Sequence, residues 1–135
     1  GHTWRRAGQL PDGLIDLATS AKDVNTLYAA TKGGLFISKD GGRSWQPAYF
    51  FKRTVTMVQS ASDGVVYTFV YGSGLLRTTE PGLDWSLVSD SFGDSYFLHL
   101  AVDPADATKL YAVNEQGSVL ASTDGGRTWA AFRTR

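Results

Sequence analysis

The octapeptide SKDGGRSW, residues 38–45, recurs at residues 122–129 as STDGGRTW. A degenerate copy, TTEPGLDW at residues 78–85, keeps the hydroxyl, the acid, the second glycine and the tryptophan at the same offsets. The chain begins with the last part of the motif, GHTW at residues 1–4. These copies contain all four tryptophans of the chain, spaced 41, 40 and 44 residues apart. A period in this range is typical of an array of small β units, so residues 1–135 are predicted to be one array.

Each period holds four short strand-like segments separated by turn residues. In the first period these are residues 14–20, 26–31, 35–38 and 46–54, and a tyrosine falls at the matching place in each second segment, at Tyr28, Tyr67 and Tyr111. No apolar period of 3.6 residues persists, which argues against helices. The predicted fold is all-β, with three four-stranded antiparallel β-propeller blades at about 14–54, 55–89 and 97–135 and a leading strand at 3–8.

The motif is interpreted as a structural turn. Its acid precedes glycine and is expected to accept hydrogen bonds from backbone N–H groups two and three residues on, while Gly42 and Gly126 are expected to supply the positive φ of the turn. The tryptophans are predicted to fold into the gap between blades. A catalytic or calcium-binding role is disfavoured, because hard cations need six or more oxygens and each copy offers one carboxylate. The residues with this predicted structural role are Ser38, Asp40, Gly42, Trp45, Thr78, Glu80, Gly82, Trp85, Ser122, Asp124, Gly126 and Trp129.

The motif resembles the Asp-box, or bacterial neuraminidase repeat, whose pattern is Ser-x-Asp-x-Gly-x-Thr-Trp. Two copies match at nearly every position, and the third is degraded at Thr78, Glu80 and Asp84. The resemblance implies a β-propeller whose boxes lie on the hairpins between third and fourth strands, on the rim and away from the central pocket. The family includes sialidases, xyloglucan-degrading enzymes, sortilin-type receptors and photosystem II assembly factors. The chain looks most similar to the assembly-factor branch and related exported bacterial proteins, which implies export, but the box itself does not choose among these activities.

Composition excludes several classes of function. Thirteen basic and thirteen acidic residues leave no net charge that would attract nucleic acid or an anionic membrane. No apolar run approaches the roughly 20 residues of a membrane-spanning helix, and the absence of cysteine excludes thiolate metal sites. Two histidines, His2 and His99, are too few for a zinc site. We therefore expect no cofactor, no metal, no nucleic-acid partner and no membrane span.

The sequence offers no recognisable catalytic set. A sialidase-like site needs clustered arginines, whereas the arginines here lie mostly in boxes or beside rim strands, and few acids remain for the paired carboxylates of a glycosidase. We predict a non-enzymatic module for protein binding or scaffolding. The alternative is a carbohydrate-binding or glycosidase-related module of the sialidase-like fold.

Two surfaces are candidates for binding. Aligning the repeats on their tyrosines places Asp16, Thr56 and His99 at equivalent positions on the innermost strands, where they could form a polar ring around an axial channel or simply be hydrogen-bonded beside it. The connections between blades are rich in aromatic residues. Half of these aromatics are expected to pack between blades, and the rest could leave an apolar patch for a protein or a sugar, formed by Tyr49, Phe50, Phe92 and Tyr96.

The number of blades is the remaining problem. Propellers usually close with four to eight blades, and three blades leave two apolar faces open. We expect a homo-oligomer, with a dimer that forms a six-bladed ring preferred. A larger ring, a piece of a longer propeller and an engineered half-propeller remain as alternatives.

Overall fold

The computed structural model describes residues 13–48, 53–79 and 84–132. The regular secondary structure of these residues is entirely β-strand, in three antiparallel four-stranded sheets that we name blades 1, 2 and 3. This confirms the predicted all-β fold with three four-stranded blades. Blade 1 contains β1 Leu14–Thr19, β2 Leu27–Thr31, β3 Gly34–Ser38 and β4 Gln46–Pro47; blade 2 contains β5 Val55–Ser60, β6 Val66–Val70, β7 Gly74–Thr78 and β8 Ser86–Ser89; blade 3 contains β9 Phe97–Val102, β10 Leu110–Asn114, β11 Val119–Ser122 and β12 Ala130–Ala131.

In every blade the strands follow chain order across the sheet. Tyr28, Tyr67 and Tyr111 occupy the same register position, each in the second strand and opposite one residue of the first: Ala18, Gln59 and Ala101. The match between the tyrosines is therefore confirmed. The predicted leading strand at 3–8 lies outside the described residues.

The first strand of each blade contains a β-bulge. The register shifts between Leu14 and Asp16 in β1, between Val55 and Met57 in β5, and between the partners of Phe97 and His99 in β9. A bulge places an extra residue in one strand and turns its side chain out of the regular alternation. The three extra residues, which we call the bulge residues, are Ile15, Thr56 and Leu98.

This register corrects the predicted alignment of the inner strands. Thr56 is equivalent to Ile15 and Leu98, whereas Asp16 and His99 are equivalent to Met57. The difference arises because residues 61–65 make a five-residue turn in blade 2, where residues 20–26 and 103–109 make seven-residue turns in the other blades. Counting back from the tyrosine therefore reaches the wrong position in blade 2.

The hydrophobic core lies in the two gaps between blades. One cluster joins Tyr28, Ala30, Leu35 and Ile37 of blade 1 to residues of blade 2 such as Val58. The second cluster joins the opposite side of blade 2 to blade 3. We call the side of a blade that carries its tyrosine the front face and the other side the back face. Blade 2 is covered on both faces, so all five residues of β6 are buried, whereas exposed residues interrupt β9.

Two hydrogen bonds reinforce the contacts between neighbouring inner strands. The amide of Val58 in blade 2 donates to Oδ2 of Asp16 in blade 1, at 3.1 Å. The buried hydroxyl of Thr56 in blade 2 donates to the carbonyl of Phe97 in blade 3, at 2.6 Å. The blades are thus joined by side chains, while the backbone ladders lie within each blade.

Candidate functional site

In the two intact copies of the repeated octapeptide, which we call boxes, the serine hydroxyl is the centre of the turn. The hydroxyl of Ser38 accepts hydrogen bonds from the amides of Gly42 (2.8 Å) and Asp40 (3.4 Å) and donates to Oδ1 of Asp40 (2.8 Å). Ser122 repeats this arrangement with Gly126 and Asp124 at 2.9, 3.4 and 2.8 Å. The two turns, in blades 1 and 3, are therefore built alike.

The box carboxylates close the far side of the turn. Asp40 accepts from the amide of Ser44 at 2.9 Å and from its hydroxyl at 2.6 Å, and Asp124 accepts from Thr128 in the same way. The acid thus binds mainly the amide four residues on, with a smaller contribution from the predicted amide three residues on, that of Arg43 or Arg127. The amide two residues on, that of Gly42 or Gly126, donates to the serine instead. These bonds, the hydroxyl of Ser44 or Thr128 first, lower the pKa of each carboxyl to about 2. Both oxygens are engaged in holding the hairpin.

Both glycines of each intact box adopt positive φ. The angles are 75° and 93° at Gly41 and Gly42, and 76° and 94° at Gly125 and Gly126. The positive φ predicted at Gly42 and Gly126 is confirmed. Residues with a Cβ rarely adopt this conformation, which explains the glycine pair.

The box tryptophans connect the turns to the core. The indole N–H groups of Trp45 and Trp129 donate to the carbonyls of Gly42 and Gly126 within their own boxes. Trp85 of the degenerate box donates instead to the carbonyl of Ala48 in blade 1, at 2.8 Å. Trp85 packs against the cluster between blades 1 and 2 and Trp129 against the cluster between blades 2 and 3, which confirms that these two tryptophans fill gaps between blades. Glu80 and Gly82 lie outside the described residues.

The bulge residues of all three blades converge on one cleft. This inner cleft of about 440 Å³ lies on the face where the outer strand of one blade connects to the inner strand of the next. Such a volume is within the usual range for small-ligand and peptide-side-chain pockets. Its lining residues are Ile15, Thr54, Thr56, Tyr71, Tyr96 and Leu98.

Two tyrosines form one wall of the inner cleft. The rings of Tyr71 and Tyr96 meet edge to face with centroids 5.5 Å apart. The segment that carries Tyr96 is fixed by Glu115, which accepts from the hydroxyl of Ser95 (2.6 Å) and from the amide of Tyr96 (3.3 Å). The hydroxyl of Ser95, as the first cause, lowers the pKa of Glu115. An ionised Glu115 therefore positions the aromatic wall.

The residues predicted as a polar ring do not share one role. Thr56 lines the inner cleft, Asp16 uses its carboxylate to bind the amides of Leu17 and Val58, and His99 is exposed on β9. The register described above explains why only Thr56 is a bulge residue.

The aromatic residues of the connections divide in the same way. Phe92 packs between blades, with its ring 5.3 Å from that of Phe69 and 4.9 Å from that of Phe97, while Tyr96 lines the inner cleft. Tyr49 and Phe50 lie outside the described residues. The sequence did not identify Ile15, Leu98 and Tyr71 as lining residues of the cleft. The available signal for Ile15 and Leu98 was their position, because each directly precedes a residue of the predicted polar ring, Asp16 or His99.

The inner cleft has the chemistry of a binding surface. Its described lining is apolar and aromatic apart from two threonines, and it contains neither a carboxylate nor an imidazole. The hydroxyls of Thr54 and Thr56 already donate to the carbonyls of Lys32 and Phe97. In the described ranges, no three His, Cys, Asp or Glu side chains are grouped so as to hold a metal ion. The same ranges contain no helix with the length and hydropathy of a membrane span.

No protein-family model matches the chain. Two curated relatives are a xyloglucanase of Hypocrea jecorina, 27% identical over 126 residues, and the vacuolar protein sorting/targeting protein 10 of Mycosarcoma maydis, 26% identical over 125 residues. The alignments cover 89% and 93% of this chain but only 15% and 8% of those proteins. The chain thus spans a small part of the length of the relatives that it matches.

Solved structures give the same fold. YCF48 from Cyanidioschyzon merolae superposes with a TM-score of 0.70 at 26% identity, covering 91% of this chain and 38% of that one. A structure of YCF48 bound to D1 peptide superposes with a TM-score of 0.72 at 21% identity, covering 97% and 43%. The chain is therefore a set of β-propeller blades that corresponds to part of a larger propeller in these proteins.

Proposed function

We propose that the chain is a non-enzymatic β-propeller module that binds a segment of a protein partner at the inner cleft. The observation that carries this proposal is the lining of the cleft: an apolar floor from Ile15 and Leu98 beside the aromatic wall of Tyr71 and Tyr96. Aromatic side chains are enriched in the energetic centres of protein interfaces because they bury a large area with few rotatable bonds.

The acids of the described residues support binding over catalysis. A glycosidase needs a general acid with a raised pKa opposite a second carboxylate. Here five carboxylates accept hydrogen bonds from nearby residues, and these bonds lower the pKa of each: Asp23, Asp40, Asp106, Glu115 and Asp124. Such groups stay ionised and are poor proton donors at neutral pH.

The similar proteins are consistent with binding. One of the superposed YCF48 structures holds a D1 peptide, and the relative from Mycosarcoma maydis is named for protein sorting and targeting. These similarities are low and partial, so the proposal rests on the cleft itself.

A second candidate function is carbohydrate binding. The exposed ring of Tyr71 and the partly exposed ring of Tyr96 would stack on the apolar face of a sugar ring, and one relative is a xyloglucanase. In this case Tyr71 and Tyr96 would contribute more to the binding free energy than Ile15 and Leu98.

Binding can be tested with two arrays, one of overlapping 15-residue peptides and one of glycans, together with hydrolysis assays on xyloglucan and sialosides. We expect peptide binding that Leu98→Asp weakens at least tenfold, about 1.4 kcal/mol. Leu87→Asp is the matched control, since Leu87 is similarly exposed but lies on the outer strand β8, away from the cleft. Glycan binding lost in Tyr96→Ala would favour the second candidate, and turnover of either substrate would contradict both.

A further inference from the structure

Aspartate–glycine pairs are the sequences at which an aspartate isomerises most readily, because glycine places no side chain in the way of ring closure. The chain contains four such pairs, at residues 12–13, 40–41, 63–64 and 124–125. The structure describes the last three in full, and all three lie in turns. These three pairs differ in how firmly hydrogen bonds hold the atoms that would react.

In the boxes, hydrogen bonds hold both reacting groups of the pair. Oδ1 of Asp40 accepts from Ser38 and from the amide of Ser44, and Oδ2 accepts from the hydroxyl of Ser44. The amide of Gly41 donates to the carbonyl of Asn25 at 2.9 Å. The box of blade 3 repeats these bonds. The pKa of about 2 also makes the protonated acid, the form that loses water, rare at neutral pH.

The pair in the turn of blade 2 is held less firmly. Asp63 is exposed, and its side chain has one hydrogen bond with the described part of the chain, from the amide of Val65 to Oδ1 at 3.1 Å. The amide of Gly64 donates to the carbonyl of Ala61 at 2.9 Å, within the same five-residue turn. Both bonds can open without moving another element, since exposed turns open locally at a low free energy.

The turn requires the glycine of this pair. Gly64 has φ 89°, a conformation that residues with a Cβ rarely adopt. The side chain of Lys22 in blade 1 also lies over it, since an added Cβ would be 2.5 Å from Cε of Lys22. A substitution that tests the reactivity of the pair therefore has to change Asp63.

We propose that Asp63 is a site of spontaneous isomerisation to isoaspartate, and that the hydrogen bonds of the boxes protect the other two aspartates. The amide nitrogen of Gly64 attacks the side-chain carboxyl carbon of Asp63. A new N–C bond forms, and the amide proton and the carboxyl hydroxyl leave as one water, which gives a five-membered succinimide. Water then adds back: cleavage of the new bond restores aspartate, and cleavage of the original peptide bond leaves isoaspartate. The reaction needs no oxidant, reductant or cofactor.

The product would change the turn and the contact between blades 1 and 2. Isoaspartate adds one carbon to the backbone of a turn whose ends are joined by a 2.8 Å bond from the amide of Ala61 to the carbonyl of Val65. The turn follows Ser60, whose hydroxyl accepts from the amide of Ala21 in blade 1 at 2.9 Å. We expect this contact to loosen. The free α-carboxylate of isoaspartate is the group that protein-repair methyltransferases esterify.

This modification goes beyond the binding function, because β5 separates the turn from the inner cleft. Peptide mapping of the 135-residue chain after storage in neutral buffer tests it, with electron-based fragmentation to distinguish isoaspartate from aspartate. We expect isoaspartate at residue 63 to accumulate at least about tenfold faster than at residues 40 and 124. In urea, where the chain is unfolded, the three pairs should react at similar rates. Equal rates at the three pairs of the folded chain, or a slower rate at residue 63, would overturn the proposal.

Two substitutions test which atoms control the reaction. Asp63→Glu should abolish the product at residue 63, because a glutamate would have to form a less favourable six-membered ring. Ser44→Ala removes the hydroxyl that binds Oδ2 of Asp40, so isoaspartate at residue 40 should form several times faster. Ser118→Ala, in an exposed turn away from all three pairs, is the control and should change none of the rates. An unchanged rate at residue 40 in Ser44→Ala would contradict protection by the box.

Discussion

At the scale of single residues, the chemistry of the box lies in its serine as much as in its acid. Ser38 and Ser122 are buried, and each hydroxyl accepts a glycine amide that would otherwise be buried without a partner. The acid lies at the exposed edge of the turn and bonds four residues forward. The serine therefore provides the hydrogen-bond acceptor for the buried amide inside the hairpin, and the acid provides the acceptor for the amide at its exposed edge.

Ser122→Ala tests the role of the serine. The substitution leaves the buried amide of Gly126 without its acceptor, so we expect a loss of about 1–3 kcal/mol in the free energy of unfolding. The measurement is urea denaturation at neutral pH. Ser62→Ala, in an exposed turn, should change the free energy of unfolding by less than about 0.5 kcal/mol. Equal effects of the two substitutions would contradict the assignment.

The box carboxylates predict a dependence of stability on pH. Their folded-state pKa of about 2 lies below the ordinary value of 3.8, so ionisation stabilises the fold above about pH 4. This contribution is lost as the pH falls through about 2. The denaturation midpoint should therefore decrease on acidification, and Asp124→Asn should flatten this decrease while lowering stability at neutral pH.

The control for the pH measurement is Asp94→Asn, which changes an exposed acid outside the boxes. It should leave the slope between pH 4 and pH 2 as in the wild type. If Asp124→Asn shows the wild-type slope as well, the box carboxylates do not cause the acid sensitivity.

At the scale of strands and turns, much of the structure could be predicted from the spacing of repeated residues. The tyrosines and the boxes fixed the number of strands and their antiparallel order, because turn residues and alternating apolar residues mark strand limits. The bulges could not be predicted, since a bulge depends on pairing between strands and leaves no composition of its own. The inner cleft was missed for that reason, and the short turn of residues 61–65 hid the equivalence of Thr56 with Ile15 and Leu98.

Two glycines distinguish the cost of a steric clash by an added Cβ from the cost of its unfavourable backbone angle. At Gly74, which begins β7 with φ 119°, an added Cβ would lie 2.3 Å from the carbonyl oxygen of Ser89, whereas at Gly117, with φ 80°, it would meet open space. We expect Gly117→Ala to cost about 1–2 kcal/mol from its backbone angle alone. Gly74→Ala should cost more than about 3 kcal/mol or prevent folding, since β8 must move. Thermal unfolding measures both, and equal costs would contradict the close approach.

The clamp by Glu115 predicts local mobility of the connection before β9. Glu115→Ala removes the acceptor of both Ser95 and Tyr96, so hydrogen exchange at the amide of Tyr96 should become at least tenfold faster. Exchange in the buried strand β6 should not change. Gln116→Ala, at the exposed neighbouring position, is the control. Unchanged exchange at Tyr96 would show that the bond from its amide is not needed to order the segment.

At the scale of the whole molecule, the blades are held together by packing and by a few side-chain hydrogen bonds. The two cores share blade 2, which contributes one face to each. The carboxylate of Asp16 accepts from blade 2 and the hydroxyl of Thr56 donates to blade 3, which connects neighbouring inner strands, and the indole of Trp85 connects blade 2 to blade 1. The blades therefore have fixed relative positions at both ends of the shared interface between blades 1 and 2.

Thr56→Val tests the hydrogen bond between blades 2 and 3. The replacement keeps the shape of the side chain and leaves the carbonyl of Phe97 without its 2.6 Å donor, so we expect a loss of about 1–3 kcal/mol in the free energy of unfolding. Thr19→Val, exposed on β1, is the matched control and should be nearly neutral. A neutral Thr56→Val would mean that water replaces the hydroxyl.

The degenerate box of blade 2 has a consequence for how the chain tolerates substitutions. The intact boxes belong to blades 1 and 3, and the degenerate box belongs to blade 2, whose two faces are both covered. The indole of Trp85 in this box donates to the carbonyl of Ala48 in blade 1. This bond fixes the hairpin of blade 2 to the neighbouring blade. Substitutions within the turn of that hairpin should therefore destabilise the fold less than the same substitutions in the boxes of blades 1 and 3, whose tryptophans bind carbonyls of their own turns.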